Sequence, residues 1–208
     1  MSIEMRQWQP PDIGGLFVVT GPSGCGKTTL VKAARNNIED LDFSVSATTR
    51  DIRKGEQDGV DYLFVTEDDF KSKIKDGQFL EWAKVYSNYY GTPHAQIQSA
   101  LSKGLSIILD IDAQGAAQVR SAPIEEVSIF ILPPNTDSLR KRLESRGTDS
   151  PETIDRRMRE AKDQMKAAVD FDYVIVNDDL ETAINQFQAI IFAELLKVKR
   201  RKKWMNRI

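Results

Sequence analysis

Short, continuous apolar runs separated by amphipathic stretches set the rhythm of this chain. LFVVT, residues 16 to 20, is β-branched and apolar, ends at a glycine, and is followed by KTTLVKAARNN with helical spacing. KGLSIILDID, EVSIFILPP and DYVIVNDD supply three more such strands, each flanked by helical patterns. Unbroken apolar strands alternating with helices predict a parallel sheet covered on both faces. Two helices carry start signals: Thr92 and Pro93 read as N-cap and first helical residue of one ending before Gly104, and Ser150 with Pro151 repeats the device. After Ser150, Ile154, Met158, Ala161 and Met165 recur at helical spacing, a stripe that reads as core packing. The region from 43 to 90 breaks the rhythm. There VDYLFV and FLEWAKVY alternate like strands around a short helix, TEDDFKSKIKDG, as a lobe inserted into the α/β core would.

Composition adds limits more than content. The chain has 208 residues, 40% hydrophobic and 29% charged, with a formal net charge of −2, which fits one ordinary globular domain. Its longest apolar runs are far too short to span a bilayer, and its balance of charge does not point to nucleic acid. MSIEMRQWQPPDIGG has no basic head followed by an apolar stretch, so it reads as a loose lead-in and not a secretory signal. One cysteine, Cys25, forms no internal disulfide, and a cytoplasmic location is the simplest expectation. The end is locally basic: KVKRRKKWMNRI holds seven basic residues and no acid. A solvated helix end is the expected role of this tail, with an anion, nucleic-acid or partner contact as the alternative.

The most specific chemical signal is GPSGCGKTT, Gly21 to Thr29, which satisfies G-x-x-x-x-G-K-[ST] between a strand and a helix. Glycines let backbone amides curl round phosphate oxygens and the helix offers its positive end. Lys27 reaches the outer phosphates, and the Thr28 hydroxyl joins a magnesium shell. Cys25 sits inside this loop, where the helix end and Lys27 would favour an oxidisable thiolate, but a small filler residue is the expected role. A phosphate loop alone leaves GTPases, ATPases and small-molecule kinases open. The base-reading N-K-x-D of switch GTPases has no match, since VNDD lacks the lysine.

SATTRDIRKGEQDGVDY, residues 46 to 62, places two arginines three apart beside hydroxyls and a tyrosine, a combination suited to clamping a dianionic phosphate. Together with FLEW, NYYGT and LDIDAQG behind the phosphate loop, this stretch resembles the guanylate kinase family of nucleoside monophosphate kinases over roughly residues 15 to 195. The resemblance implies a P-loop NTPase-type parallel sheet with helices on both faces, an inserted mixed β/α acceptor lobe and an arginine-bearing lid. The domain would span about 14–196, with the core at 14–45 and 104–196, the lobe at 46–94 and the lid at 138–168, leaving a lead at 1–13 and the basic tail at 197–208. It implies phosphorylation of GMP, and more weakly dGMP, by ATP with magnesium. The oligomeric state stays open, a homo-oligomer included.

By the same resemblance, Gly21, Pro22, Ser23, Gly24, Cys25, Gly26, Lys27, Thr28 and Thr29 hold ATP, with Asn177 near its adenine. Arg50 and Arg53 bind the GMP phosphate with Tyr62 and Tyr90; Ser46, Glu81, Thr92 and Asp112 surround guanine; and Glu56 supports the clamp. Guanine offers N1–H and N2–H₂ side by side, which a carboxylate such as Glu81 accepts together. Adenine would leave that carboxylate unpaired. Taken singly, Tyr62 and Tyr90 also fit as strand aromatics, Glu81 as a solvated strand residue and Thr92 as the helix cap. Lys27, Arg50 and, from the lid, Arg142, Arg146 and Arg157 are the implied catalytic cations, with Thr28 and Asp110, the latter through water, toward the metal. Most other basic residues of the lid, Arg140 and Arg156 among them, read as surface ion pairs. His94 reads as surface, and Asp58 and Asp61 as solvated. Ala47 and Ile52 depart mildly from the family pattern, where a hydroxyl residue and a proline are common. A non-catalytic interaction module of the same family is the competing reading, although Lys27, Thr28, Arg50 and Arg53 are all present. A kinase for another monophosphate conflicts with the Glu81 argument.

Overall fold

The computed structural model describes residues 11–85, 87–145 and 150–205. β1 (Leu16–Thr20) leads through the glycine loop into α1 (Lys27–Asn37) and β2 (Leu41–Phe43). A second unit follows: β3 (Ala47–Thr48), β4 (Leu63–Phe64), α2 (Glu67–Lys75), β5 (Phe79–Val85) and β6 (Asn88–Pro93). The chain then runs through α3 (His94–Ser102), β7 (Ser106–Asp110), α4 (Ala113–Ser121), β8 (Val127–Leu132), α5 (Thr136–Glu144) and α6 (Pro151–Lys166). It ends with β9 (Tyr173–Val176), α7 (Leu180–Leu195) and a short α8 (Lys202–Met205).

The expected parallel sheet is present, in the order β2-β7-β1-β8-β9, with every pairing parallel. It contains the four strands expected from sequence and a fifth, β2. Successive side chains of a strand point to opposite faces, and β1 divides its apolar residues accordingly. Phe17 and Val19 join a core with Leu30 and Ala34 of α1 and with Phe187 and Ile191 of α7. Leu16 and Val18 join the other layer with Ile97 of α3 and Val119 of α4. Each such fully buried Val, Leu, Ile or Phe side chain stabilises the fold by about 1.5–3 kcal/mol. Most of the stripe on α6 packs as core: Ile154, Met158 and Ala161 are buried against Leu139 and Leu143 of α5, while Met165 is half-buried.

The region that breaks the α/β rhythm forms a separate mixed sheet, β4-β3-β6-β5, in which β6 runs antiparallel to β3 and β5. Thr66 caps α2 by accepting from the Asp69 N–H, and Phe70 of that helix stacks on Phe79 at 4.4 Å and on Tyr89 at 5.4 Å between ring centroids. Ser150 caps α6 with Pro151 in the first turn, as the sequence predicts. Thr92 is not a cap. It belongs to β6, paired with Glu81, and Pro93 takes the N-cap position of α3.

The basic tail also departs from expectation. Arg200 is only 5% exposed and donates to the Gly14 carbonyl at 2.6 Å and to Glu125 Oε1 at 2.7 Å. No helix among the described residues is long and apolar enough to cross a membrane.

Candidate active site

The loop after β1 is set by glycine geometry. Gly26 precedes α1 with φ 101°, a left-handed conformation, and any Cβ there would collide with the Asn177 amide. That amide is buried and donates to the Cys25 carbonyl at 2.8 Å. Arg142 reaches the same carbonyl at 3.4 Å and the Asn177 carbonyl at 2.8 Å. The back of the loop is therefore fastened to the end of β9 and to α5. Cys25 is buried and burial pushes its thiol up, with Lys27 only partly opposing, so it is a filler here and not an activated thiolate.

In front of the loop lies a cavity of about 410 Å³, with Gly21, Ser23, Gly24, Gly26, Lys27, Thr28 and Thr29 on one side and Asp110, Ile111, Asp112 and Ala113 on the other. Gln164 of α6 also lines it. No side chain caps the start of α1, which leaves its first-turn N–H groups without a side-chain acceptor. Lys27 Nζ donates to the Gly21 carbonyl at 2.6 Å and stands 3.9 Å from Asp110 Oδ1. Burial raises the Asp110 carboxyl, with Lys27 opposing. The donor set around Thr28 and Asp110 is one hydroxyl and one carboxylate, and no group of three or more His, Cys, Asp or Glu suited to a metal occurs among the described residues. Such a set fits a magnesium ion that keeps most of its water and takes phosphate oxygens.

On the acceptor side, Arg50 forms a forked pair with Glu56, at 3.0 and 2.8 Å, and donates to the Asp51 carbonyl at 2.6 Å. Glu56 also accepts from the Arg53 backbone N–H at 2.8 Å. The Arg50 bonds hold the Glu56 carboxyl below its usual range, and Glu56 raises Arg50 further. The Arg50 guanidinium lies 5.3 Å from the centre of the Tyr62 ring, and Tyr62 meets Tyr90 edge to face at 6.0 Å. Burial, more than Tyr90, raises the Tyr62 phenol. The Arg53 side chain is exposed at the rim. Asp58 and Asp61 are exposed, as expected, and also shape this loop: Asp58 accepts from the Phe64 N–H at 2.9 Å and Asp61 from the Gln57 N–H at 2.8 Å.

Glu81 is 5% exposed, so it is no solvated strand residue. Its Oε1 accepts from the buried Thr92 hydroxyl at 2.6 Å. Its Oε2 faces α4, where a Cβ on Gly115 would stand only 2.7 Å away. Burial, with Asp112 adding, pushes the Glu81 carboxyl up to about 7. Asp112 is the N-cap of α4 and accepts from the Gly115 N–H at 2.8 Å. Ser46 is half-buried just before β3. Thus Glu81 and Thr92 of the second sheet come near Asp112, the N-cap of α4, beside the phosphate-loop cavity that Asp112 also lines.

The segment expected to form a lid is described in part. Arg142 stands as above, Arg157 is half-buried on α6, and Arg146 lies outside the described residues. Arg140 pairs with Asp155 at 2.7 Å, and Arg156 with Glu160 at 3.8 Å. His94 opens α3, half-buried. Sequence reasoning did not single out Gly115, Gln118 or Gln164. For Gly115 a signal existed, the glycine of LDIDAQG; for the two glutamines, none beyond a polar residue on a helix.

Residues 14–194 match the family described as guanylate kinase. A guanylate kinase of Symbiobacterium thermophilum is 46% identical over 187 residues, 90% of this chain and 89% of the relative. One of Vibrio parahaemolyticus is 49% identical over 186 residues, 88% and 90% of the two chains. A crystal structure of guanylate kinase from Anaplasma phagocytophilum matches with a TM-score of 0.72 at 34% identity, covering 92% of each chain.

Proposed function

Since the chain belongs to the guanylate kinase family and phosphorylates GMP with ATP, we propose which of its residues hold each substrate and carry the transfer. The alternative of a non-catalytic interaction module is not favoured by relatives named as guanylate kinases. In our reading the residues from Gly21 to Thr29 receive the ATP phosphates, with Asn177 toward the adenine. The divalent metal would be Mg²⁺, held by Thr28 and, through water, Asp110, and it would supply positive charge to the ATP phosphates. We place the core, acceptor lobe and lid at 14–45 with 104–196, 46–94 and 138–168 respectively, and the protein in the cytoplasm.

GMP places its phosphate at Arg50, Arg53, Tyr62 and Tyr90. An arginine has five N–H donors, and Arg50 gives two to Glu56 and one to Asp51, so the guanidinium is held in place with donor capacity left for phosphate oxygens. Guanine lies against Ser46, Glu81, Thr92 and Asp112. The observation that carries this assignment is the buried Glu81 carboxylate, fixed by Thr92 at one oxygen with the other turned toward α4 and Asp112. Guanine N1–H and N2–H₂ would supply the donors it lacks, and adenine would not.

Transfer needs no general base, because the attacking group is already a phosphate oxygen anion. That oxygen forms a bond to the γ-phosphorus as the bond to the β,γ-bridging oxygen breaks, and ADP leaves with the electron pair. Lys27 and Arg50, joined by Arg142, Arg146 and Arg157, stabilise charge spread over the migrating group. Closure around the substrates excludes water, which would otherwise hydrolyse ATP.

A coupled assay with ATP, magnesium and a panel of monophosphates tests the assignment. GMP should be strongly preferred and dGMP used more weakly; equal use of AMP would remove Glu81 from base selection. Arg53→Ala should raise KM for GMP much more than KM for ATP, and the reverse pattern would refute the clamp.

A further inference from the structure

β5 is the edge of its sheet, so one flank has no strand partner among the described residues. On that flank the Trp82 backbone is nevertheless paired. Its N–H donates to Gln118 Oε1 at 3.1 Å, and its carbonyl accepts from Gln118 Nε2 at 2.7 Å. A primary amide matches one residue of a strand in donor and acceptor, and the match fixes its orientation, since a flipped amide would lose both bonds. Gln118 lies on α4, three residues after Gly115 and on the same helical face, while Trp82 directly follows Glu81.

We propose that Gln118 is a positioning residue for guanine selection, which by pairing with both backbone groups of Trp82 holds the adjoining Glu81 carboxylate against the head of α4. The spacing is set from two sides. Gly115, by lacking a Cβ that would stand only 2.7 Å from Glu81 Oε2, leaves the room in which the carboxylate lies against α4, and the Gln118 pair stops β5 from drawing away. Gln118 thereby keeps Glu81, from one sheet, in register with Asp112, the cap of its own helix. This rests on the assignment of Glu81 to the guanine edge.

The test is a double-mutant cycle of Gln118→Met, which keeps the length of the side chain but removes both bonds, with Glu81→Gln. Kinetics are measured for GMP, ATP and AMP. Two exposed hydrogen bonds correspond to a roughly three- to tenfold effect. Gln118→Met should raise KM for GMP by that factor and change KM for ATP less than about twofold. In the Glu81→Gln background it should add less than about twofold, because the group it positions is gone. Gln118→Glu keeps the acceptor for Trp82 N–H but sets a carboxylate oxygen against the Trp82 carbonyl, so it should raise KM for GMP at least as much as Met, which gives a second variant if Met fails to fold. An unchanged KM for GMP, equal losses for GMP and ATP, or a full effect in the Glu81→Gln background would overturn the proposal. If Glu81→Gln alone left GMP-over-AMP discrimination intact, the guanine-edge assignment itself would fail, a result distinct from failure of Gln118 alone.

Discussion

Glu81 joins stability to function in one carboxyl. Its ordinary value is 4.5 and burial lifts it to about 7, so between those pH values the folded protein holds a proton that the unfolded chain has released. Stability therefore falls as pH rises through that window, and above it the ionised group destabilises the ligand-free fold by on the order of 3 kcal/mol. Glu81→Gln should raise the thermal midpoint of the ligand-free protein at pH 8 and leave it nearly unchanged at pH 5, by differential scanning calorimetry. No difference between the two pH values would mean that Glu81 is not buried as a charge. GMP has the opposite preference. Guanine's two donors favour the ionised carboxylate, so binding below about pH 7 should release a proton, and kcat/KM for GMP should fall as the solution is acidified. The GMP phosphate itself titrates near ~6, so the diagnostic quantity is the difference between wild-type and Glu81→Gln profiles. Parallel profiles would remove Glu81 ionisation from recognition.

At the scale of elements, α4 would assemble the proposed base site. It begins at Asp112, leaves space at Gly115 and reaches β5 through Gln118. Gly115→Ala should help the helix by about 1 kcal/mol through propensity, yet its methyl would press on Glu81 Oε2. The expected outcome is a KM for GMP raised roughly tenfold, with KM for ATP and helical circular dichroism preserved; an unaffected KM for GMP would show that Glu81 moves aside freely. The elements differ in how far sequence discloses them. β1, its glycine loop and α1 are readable because each signal is local: an apolar run, a left-handed glycine and a helical face. β2 is three residues with one buried, and β3 only two, so neither leaves an apolar run to find. Thr92–Pro93 carries the local signature of a helix start, but pairing with Glu81 across β6 and β5 overrides it. Gln118 is illegible for the same reason. It sits on an exposed helical position and its partner is 36 residues away.

At the scale of the whole molecule, the end of the chain packs across the strand entries of the main sheet, opposite its phosphate loop. A run of cations suggests a solvated end when only sequence neighbours are considered, and Lys199 and Lys203 are exposed. Arg200 is not, because the chain returns after α7 to the start of β1. There its guanidinium bonds the Gly14 carbonyl and Glu125, just before β8; its own carbonyl accepts from Asp12 N–H at 2.7 Å, and Lys203 N–H donates to Asp12 Oδ2 at 2.6 Å. Arg200 thus ties the entries of two central strands to the end of the chain. Arg200→Met should lower stability by about 1–3 kcal/mol, the range for buried charge-assisted bonds whose acceptors lose their donor. For a chain of this size that corresponds to roughly 2–4 °C per kcal/mol. Glu125→Gln should have the smaller effect, since that carboxylate is 52% exposed and water replaces much of what it loses. Because the contacts lie at the far ends of the strands from Lys27, Asp110 and Glu81, kcat and both KM values should stay within about twofold of wild type below the unfolding transition. A normal thermal midpoint in Arg200→Met would show the tail to be an appendage; a selective loss of activity at full stability would show that strain at the strand entries reaches the phosphate loop.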